Sequence, residues 1–428
     1  MHKSRSKYAA AAAVFALFLL PLALMFGCSQ VNPAPSAQKQ WTVMIFEATD
    51  NDLEEAGFTN INELELVGSS DQVNFVAQTD WWHHTGNTQT LLTGEGVGRW
   101  YITKDNDMTR IKSNLIQTLP EINTATAEAV RDFVIWAAAR YPASHYMLII
   151  SSHGGGWRNG SPVKKRGFGQ DFTTDPSKRS IMNLSDFKAV LPAINTALGS
   201  KKLDILGIDA CLNAMVEVGY QFKDYIDILN ASEENIPGNG FPYTTMATDL
   251  VATPTMSPRE LATDIVNRYN ERYSGQYMTT LSAIDLSKIS EVETRVKNLA
   301  AAFTTPEAYA AVRDIVNSGI SPTVFAVQSY GDVTFRDLWH LADTIISQKS
   351  SDPAFYGITV ECGAVKTAVE QAVILSKYTT GATGNPVSNS HGLSIYVPTP
   401  QTTAYDSNYG TLDFSIDSGW GAFLQKLI

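Results

Sequence analysis

His153 and Cys211 are the residues of this chain whose setting best suits chemistry. The run Tyr146-Met-Leu-Ile-Ile-Ser-Ser ends at His153, and Leu203-Asp-Ile-Leu-Gly-Ile-Asp-Ala ends at Cys211. Short runs rich in Ile and Leu read as buried parallel strands, and open α/β sheets gather their sites beyond the carboxyl ends of such strands. A thiol there is a nucleophile and an imidazole a proton carrier, which together can cleave an amide. The glycines Gly154, Gly155 and Gly156 follow the histidine and leave space for a substrate backbone. The plainer alternatives are a small buried thiol acting as a hydrophobe and a histidine that only satisfies its hydrogen bonds. The elements around the pair decide between them.

Those elements alternate. Residues 41–48 read as a strand, Asp50 or Asn51 as the cap of a helix reaching about Leu66, and residues 72–79 as the next strand, the opening of a parallel sheet. Asp50, Asp52, Glu54 and Glu55 could hold a cation, but capping and solvation account for them, and no residue is assigned as a metal ligand. His83 and His84 are adjacent, point in different directions on any regular element, and make no metal site. Residues 88–103 read as a hairpin. Over 126–141, Val130, Phe133, Val134, Ala137 and Tyr141 share one helical face, a crossover into the strand before His153. The stretch 158–179 is polar and basic around Lys164-Lys165-Arg166, an exposed insertion. A helix over 186–198 precedes the Cys211 strand. Met215, Val218, Gly219 and Phe222 then repeat at helical spacing, which puts the thiol at a helix start whose N–H groups would lower its pKa and hold an oxyanion.

Residues 225–231 read as a further strand, running into a Gly- and Pro-rich loop over 232–243 on the same rim. Beyond it, helices near 257–273, 292–303, 337–348 and 363–377, with strands near 279–284 and 393–397, read as a mostly helical addition that returns to the sheet. His391-Gly392 precedes its strand, the wrong end for this chemistry, and reads as structural.

Composition sets the compartment and excludes some partners. Across 428 residues the formal net charge is −11, so nucleic acid, which needs concentrated Lys and Arg, is not an expected partner. The first residues are basic, residues 9–26 are almost wholly apolar, and Gly27-Cys28 closes the run. That pattern resembles a bacterial lipoprotein signal, with Cys28 as the lipidated residue, although Met25 and Phe26 depart from its usual small or β-branched residues; a plain signal peptide and an uncleaved membrane anchor stay open as the alternatives. Residues 29–40 read as a tether, 41–250 as the catalytic core and 251–428 as the addition. An exported chain with only three cysteines is not held together by disulfides. Cys211 and Cys362 could still pair, which would silence the nucleophile, but Cys362, in a helical pattern, reads instead as a buried inert thiol. A lipid-anchored monomer in the bacterial cell envelope is expected.

Taken together, His153-Gly154 after one apolar block and Asp209-Ala210-Cys211 after another resemble the clostripain family of cysteine peptidases. Asp50-Asn-Asp-Leu53, Ser232-Glu233 with Pro237-Gly238, and Trp420 with Phe423-Leu424 add to the resemblance. It implies a caspase-like αβα sandwich with a mostly parallel central sheet and a largely helical C-terminal addition. It also implies Cys211 as nucleophile, His153 as proton-transfer partner, and the N–H groups of Gly154 and Cys211 as the oxyanion site. Asp209, Ser232, Glu233 and Asn239 are implied at the substrate pocket. The family's basic preference implies cleavage after Arg or Lys, although Asn239 stands where relatives often carry Asp. Self-cleavage near Lys164, Lys165 or Arg166 is a further expectation. No cofactor is required by the sequence, and calcium is allowed by the resemblance. Two other readings stay open: an inactive binding lipoprotein on a peptidase-like fold, and a hydrolase of non-peptide amides.

Overall fold

A computed structural model describes residues 38–81, 96–158, 168–174, 181–318, 326–400 and 404–428. Cys28 with its signal segment, most of the tether, His83, His84, residues 88–95 of the expected hairpin, and Lys164, Lys165 and Arg166 lie outside the described residues. Residues Gln38–Ile428 form one compact unit, with no division near residue 250.

Nine strands build the central sheet: β1 (Lys39–Glu47), β2 (Val73–Thr79), β3 (Val97–Tyr101), β4 (Asn114–Leu119), β5 (Ala143–Ser151), β6 (Leu203–Asp209), β7 (Ile226–Ala231), β8 (Thr280–Asp285) and β9 (Val373–Tyr378). Their order is β9-β8-β7-β6-β5-β1-β2-β3-β4. The five central strands, β7 to β2 in that order, run parallel, and antiparallel pairs extend both edges.

Strand side chains alternate between two cores, as a pleat requires. In β1, Trp41, Val43 and Ile45 face one core while Met44 and Phe46 face the other; in β5, Met147 and Ile149 oppose Leu148 and Ile150. On the first face pack α1 (Glu54–Glu65) and the helices Tyr243–Ala252 and Pro258–Tyr273. The second face carries α2 (Ala127–Arg140), α3 (Leu184–Ala197), α4 (Val216–Phe222) and most of the C-terminal helices.

Four expectations are corrected. In place of a hairpin over 88–103, β3 pairs with β2 and with β4, a strand without an alternating apolar pattern because most of its residues are exposed. The helix expected over 363–377 spans Tyr356–Ala372, and β9 follows, where Val373 and Ile374 leave the helix to pair with β8. Residues 393–397 do not return to the main sheet: Ser394–Tyr396 pairs with Phe335–Asp337 in a separate ribbon. Asp50 and Asn51 do not cap α1; the cap position is Leu53, whose N–H is turned onto Asn51 Oδ1 at 2.9 Å. Cys362 is buried in its helix, and it and Cys211 are free thiols.

Candidate active site

Strand register brings the two reactive residues together. β5 and β6 are parallel with Ser151 opposite Asp209, so His153 and Cys211 each lie two residues beyond a matched pair at the carboxyl edge. The chain is tight there. A Cβ on Gly154 would lie 2.3 Å from the Cys211 carbonyl oxygen and 2.6 Å from its nitrogen, so only glycine lets the strand ends approach this closely. Both His153 and Cys211 line one cleft of about 260 Å³.

The turn after β6 presents the sulfur. Asn213 Nδ2 donates to the carbonyls of Ala210 at 3.3 Å and Cys211 at 2.8 Å, and Leu212 takes φ +67°, a strained value for a γ-branched residue. The Ile236 N–H lies 3.4 Å from Sγ. Helix α4 begins only at Val216, so the expected helix start does not hold the thiol. Burial instead pushes the thiol up to about 11. Among the described contacts, no hydrogen bond joins the sulfur to His153.

The imidazole is held from the other side. His153 Nε2 lies 2.7 Å from Asp52 Oδ1, in the loop after β1. With Nε2 engaged by a carboxylate, Nδ1 is the ring nitrogen left to carry a proton. Sequence reasoning placed Asp52 in an acidic, capping stretch and missed this contact; the only signal was the Asp50-Asn-Asp-Leu53 match.

Asp209 forms the cleft floor. Phe241 N–H and the Tyr243 hydroxyl donate to its Oδ2 at 2.9 and 2.8 Å, whereas the buried Oδ1 accepts no hydrogen bond. Burial raises its carboxyl to about 6. Gly240, at φ +60°, lies so close that a Cβ would sit 2.3 Å from Oδ2. Behind the lining residues Asn60 and Ser151 is a second acid, Glu47, fully buried and raised to about 8 by that burial.

The other expected pocket residues lie elsewhere. Ser232 Oγ is buried against Thr280 Oγ1 at 2.9 Å, and Glu233 accepts from the Tyr330 hydroxyl at 2.8 Å and the Gly392 N–H at 2.9 Å. Both brace the loop over 232–240 from behind, because their side chains point into the core formed with the C-terminal region. Asn239 is exposed beside the lining glycines Gly238 and Gly240. His391 pairs with Asp337 and stacks on Trp339, outside the cleft, as its position before a strand suggested.

The sequence model of the Clostripain family matches residues 45–426. Clostripain of Hathewaya histolytica is 23% identical over 405 residues, spanning 83% of this chain and 74% of the relative. An inactive zymogen C11 protease from Parabacteroides distasonis superposes with a TM-score of 0.65 at 20% identity, over 89% of this chain and 98% of the other. A secreted C11 cysteine protease from Bacteroides thetaiotaomicron, solved with an irreversible peptide inhibitor, gives 0.63 at 21% identity, over 89% and 99%. Such identities speak for the fold, the caspase-like αβα sandwich; the family match runs through almost every strand and helix described above. The chain belongs to the clostripain family of cysteine peptidases.

Proposed function

We propose that the chain is an endopeptidase working through a Cys211–His153 dyad, with preference for Arg or Lys before the cut bond. The observation that carries this reading is the in-register exit of β5 and β6, with both reactive side chains on one cleft whose floor is the Asp209 carboxylate. A buried Oδ1 without a hydrogen-bond partner is a good receptor for a guanidinium or ammonium group. Asn239 offers no charge and Glu47 behind the floor, raised to about 8 by burial, holds its proton at neutral pH, so the charge that meets the basic side chain is that of Asp209.

The steps follow from the groups present. Cys211 Sγ attacks the peptide carbonyl carbon while its proton passes to His153 Nδ1, and the oxyanion accepts from the N–H groups of Gly154 and Cys211. The C–N bond then breaks as the imidazole returns the proton to the leaving amine. Water, deprotonated by the same imidazole, hydrolyses the thioester and restores the thiol. Because the thiol sits near 11, attack is coupled to proton transfer and needs no ion pair waiting in the free enzyme.

Fluorogenic peptides that differ only at the residue before the cut test both parts. Wild type is expected to cleave Arg and Lys peptides, Cys211→Ala to lose activity, and Asp209→Asn to lose about 10²-fold or more of kcat/KM on basic peptides only. The acid limb for basic peptides should fall near pH 6, where Asp209 takes up its proton. Faster cleavage after acidic or apolar residues overturns the basic preference; equal activity in Cys211→Ala overturns the dyad.

Export with a lipid on Cys28, and self-cleavage after Lys164, Lys165 or Arg166 in the stretch between β5 and β6, belong to the same reading. Intact mass reads both: an acyl-bearing Cys28, and cuts in wild type that are missing from Cys211→Ala.

A further inference from the structure

The carboxylate on the cleft floor is held by a loop, and the loop is held by the end of one helix. Asp209 Oδ2 accepts from the Phe241 N–H and the Tyr243 hydroxyl. The backbone beside these donors is gripped through its carbonyls by the last turn of the helix Pro258–Tyr273. The Tyr273 hydroxyl donates to the Gly240 carbonyl at 2.7 Å, and Arg272 Nη1 lies 3.5 Å from the Phe241 carbonyl oxygen. Arg272 is itself fixed. Its two Nη atoms fork onto the Glu63 carboxylate of α1 at 2.7 and 2.8 Å, and the Thr244 hydroxyl donates to the Glu63 carbonyl at 3.1 Å. A planar bidentate pair, half-buried, holds a guanidinium in one orientation.

We propose that Arg272, gripped by Glu63, is a positioning residue for basic specificity: it fixes the loop that donates to Asp209 and supplies the positive field in which that carboxylate stays an anion. The inference rests on the reading of Asp209 as the receptor for Arg or Lys. The titratable groups around Asp209 are Glu47 on β1, Glu63 on α1, Cys211 beyond β6 and Tyr243 at the end of the loop, with Tyr269, Arg272 and Tyr273 on the helix. His153 shares the cleft. Arg272 is the lasting cation of this set. Burial drives the Asp209 carboxyl up, the two donors and then the Arg272 charge draw it back, and Glu63 opposes them.

The fork onto Glu63 has a second consequence. A loose arginine at this place would pair with Asp209 and close it to substrate. Engaged by Glu63, Arg272 leaves the buried Asp209 Oδ1 open to the incoming side chain. Arg272 touches neither sulfur nor imidazole, so its effect falls on the choice of substrate.

The test uses the full chain carrying Cys211→Ala, so that binding is read without cleavage. Calorimetry from pH 5 to pH 8 compares a peptide with Arg before the cut bond and its citrulline counterpart, which has the same shape and no charge. The Arg peptide should bind roughly tenfold tighter at pH 7 than at pH 5, with a midpoint near pH 6, while the citrulline peptide stays flat. Arg272→Met should move the midpoint up by about one pH unit, and Glu63→Gln should move it down, because the first removes the helping charge and the second the opposing one. Arg272→Lys, which keeps the charge without the fork, should return most of the way to the background. Opposite signs separate this role from loosened packing, which would weaken binding at every pH and leave the midpoints alike. Midpoints that coincide in Arg272→Met and Glu63→Gln, or that shift the same way, overturn the proposal. If melting shows Arg272→Met to be unfolded, Glu63→Gln decides alone, and an unmoved or raised midpoint there overturns it. Equal affinity for both peptides at every pH removes the Asp209 reading and this proposal with it; a preference for Arg with unmoved midpoints removes only the role of Arg272.

Discussion

At the residue scale the site is built from groups that other residues hold in unfavourable states. Cys211 is protonated in the free enzyme because burial opposes a thiolate, and Asp209 keeps its charge at neutral pH because the Phe241 N–H, the Tyr243 hydroxyl and the Arg272 guanidinium partly offset its burial. His153 has the simplest dependence, a single carboxylate on Nε2. Under the proposed dyad, Asp52→Asn keeps the shape but weakens control of the tautomer and of the imidazolium that proton transfer from Cys211 would form. We expect kcat to fall about 10- to 10³-fold with KM little changed, while alkylation of Cys211 in the free enzyme proceeds at the wild-type rate. A change confined to KM would remove Asp52 from the role of positioning residue.

At the scale of elements, the strand ends and the braced loop set the cleft, and α4 anchors the turn that carries the thiol. Glu217 in its first turn is fully buried, accepting from the Tyr396 N–H at 2.9 Å and the Tyr409 hydroxyl at 2.8 Å. Burial raises its carboxyl to about 7. In the unfolded chain the same carboxyl ionises near its ordinary value of 4.5, so between about pH 4.5 and 7 rising pH favours unfolding. Glu217→Gln removes that ionisation. The melting temperature of the variant relative to wild type should therefore climb from pH 5 to pH 8; a constant difference across that range would contradict it.

The whole molecule repeats this sign. Glu47 at about 8, Asp209 at about 6 and Glu217 at about 7 are all raised by burial, so each holds its proton in the folded chain over a range where the unfolded chain has released it. Stability should be greatest near the ordinary carboxyl range and fall as pH climbs toward 8. Thermal melts of Cys211→Ala should show a lower melting temperature at pH 8 than at pH 5.5. An increase would mean that groups with depressed values dominate. No helix among the described residues is long and apolar enough to cross a membrane.

What the sequence by itself determined is what neighbouring residues fix. Apolar runs in β1, β2, β5, β6 and β7, the face of α2, and the reactive residues just past two strands are local patterns, because burial on both sides of a sheet demands continuous apolar stretches. Locality also explains the misses: β4 is exposed and carries no pattern, and β9 reads as helix because Val373 to Lys377 follow a helical repeat without a break. Tertiary structure decided everything that joins distant segments: Asp52 on His153, Phe241 and Tyr243 on Asp209, Ser232 and Glu233 turned into the core, and Asp50 beside Asp80, Glu121 and Asp171. Those partners are chosen by strand register and by which face of the sheet a loop returns to, and neither is encoded in the spacing of residues along the chain.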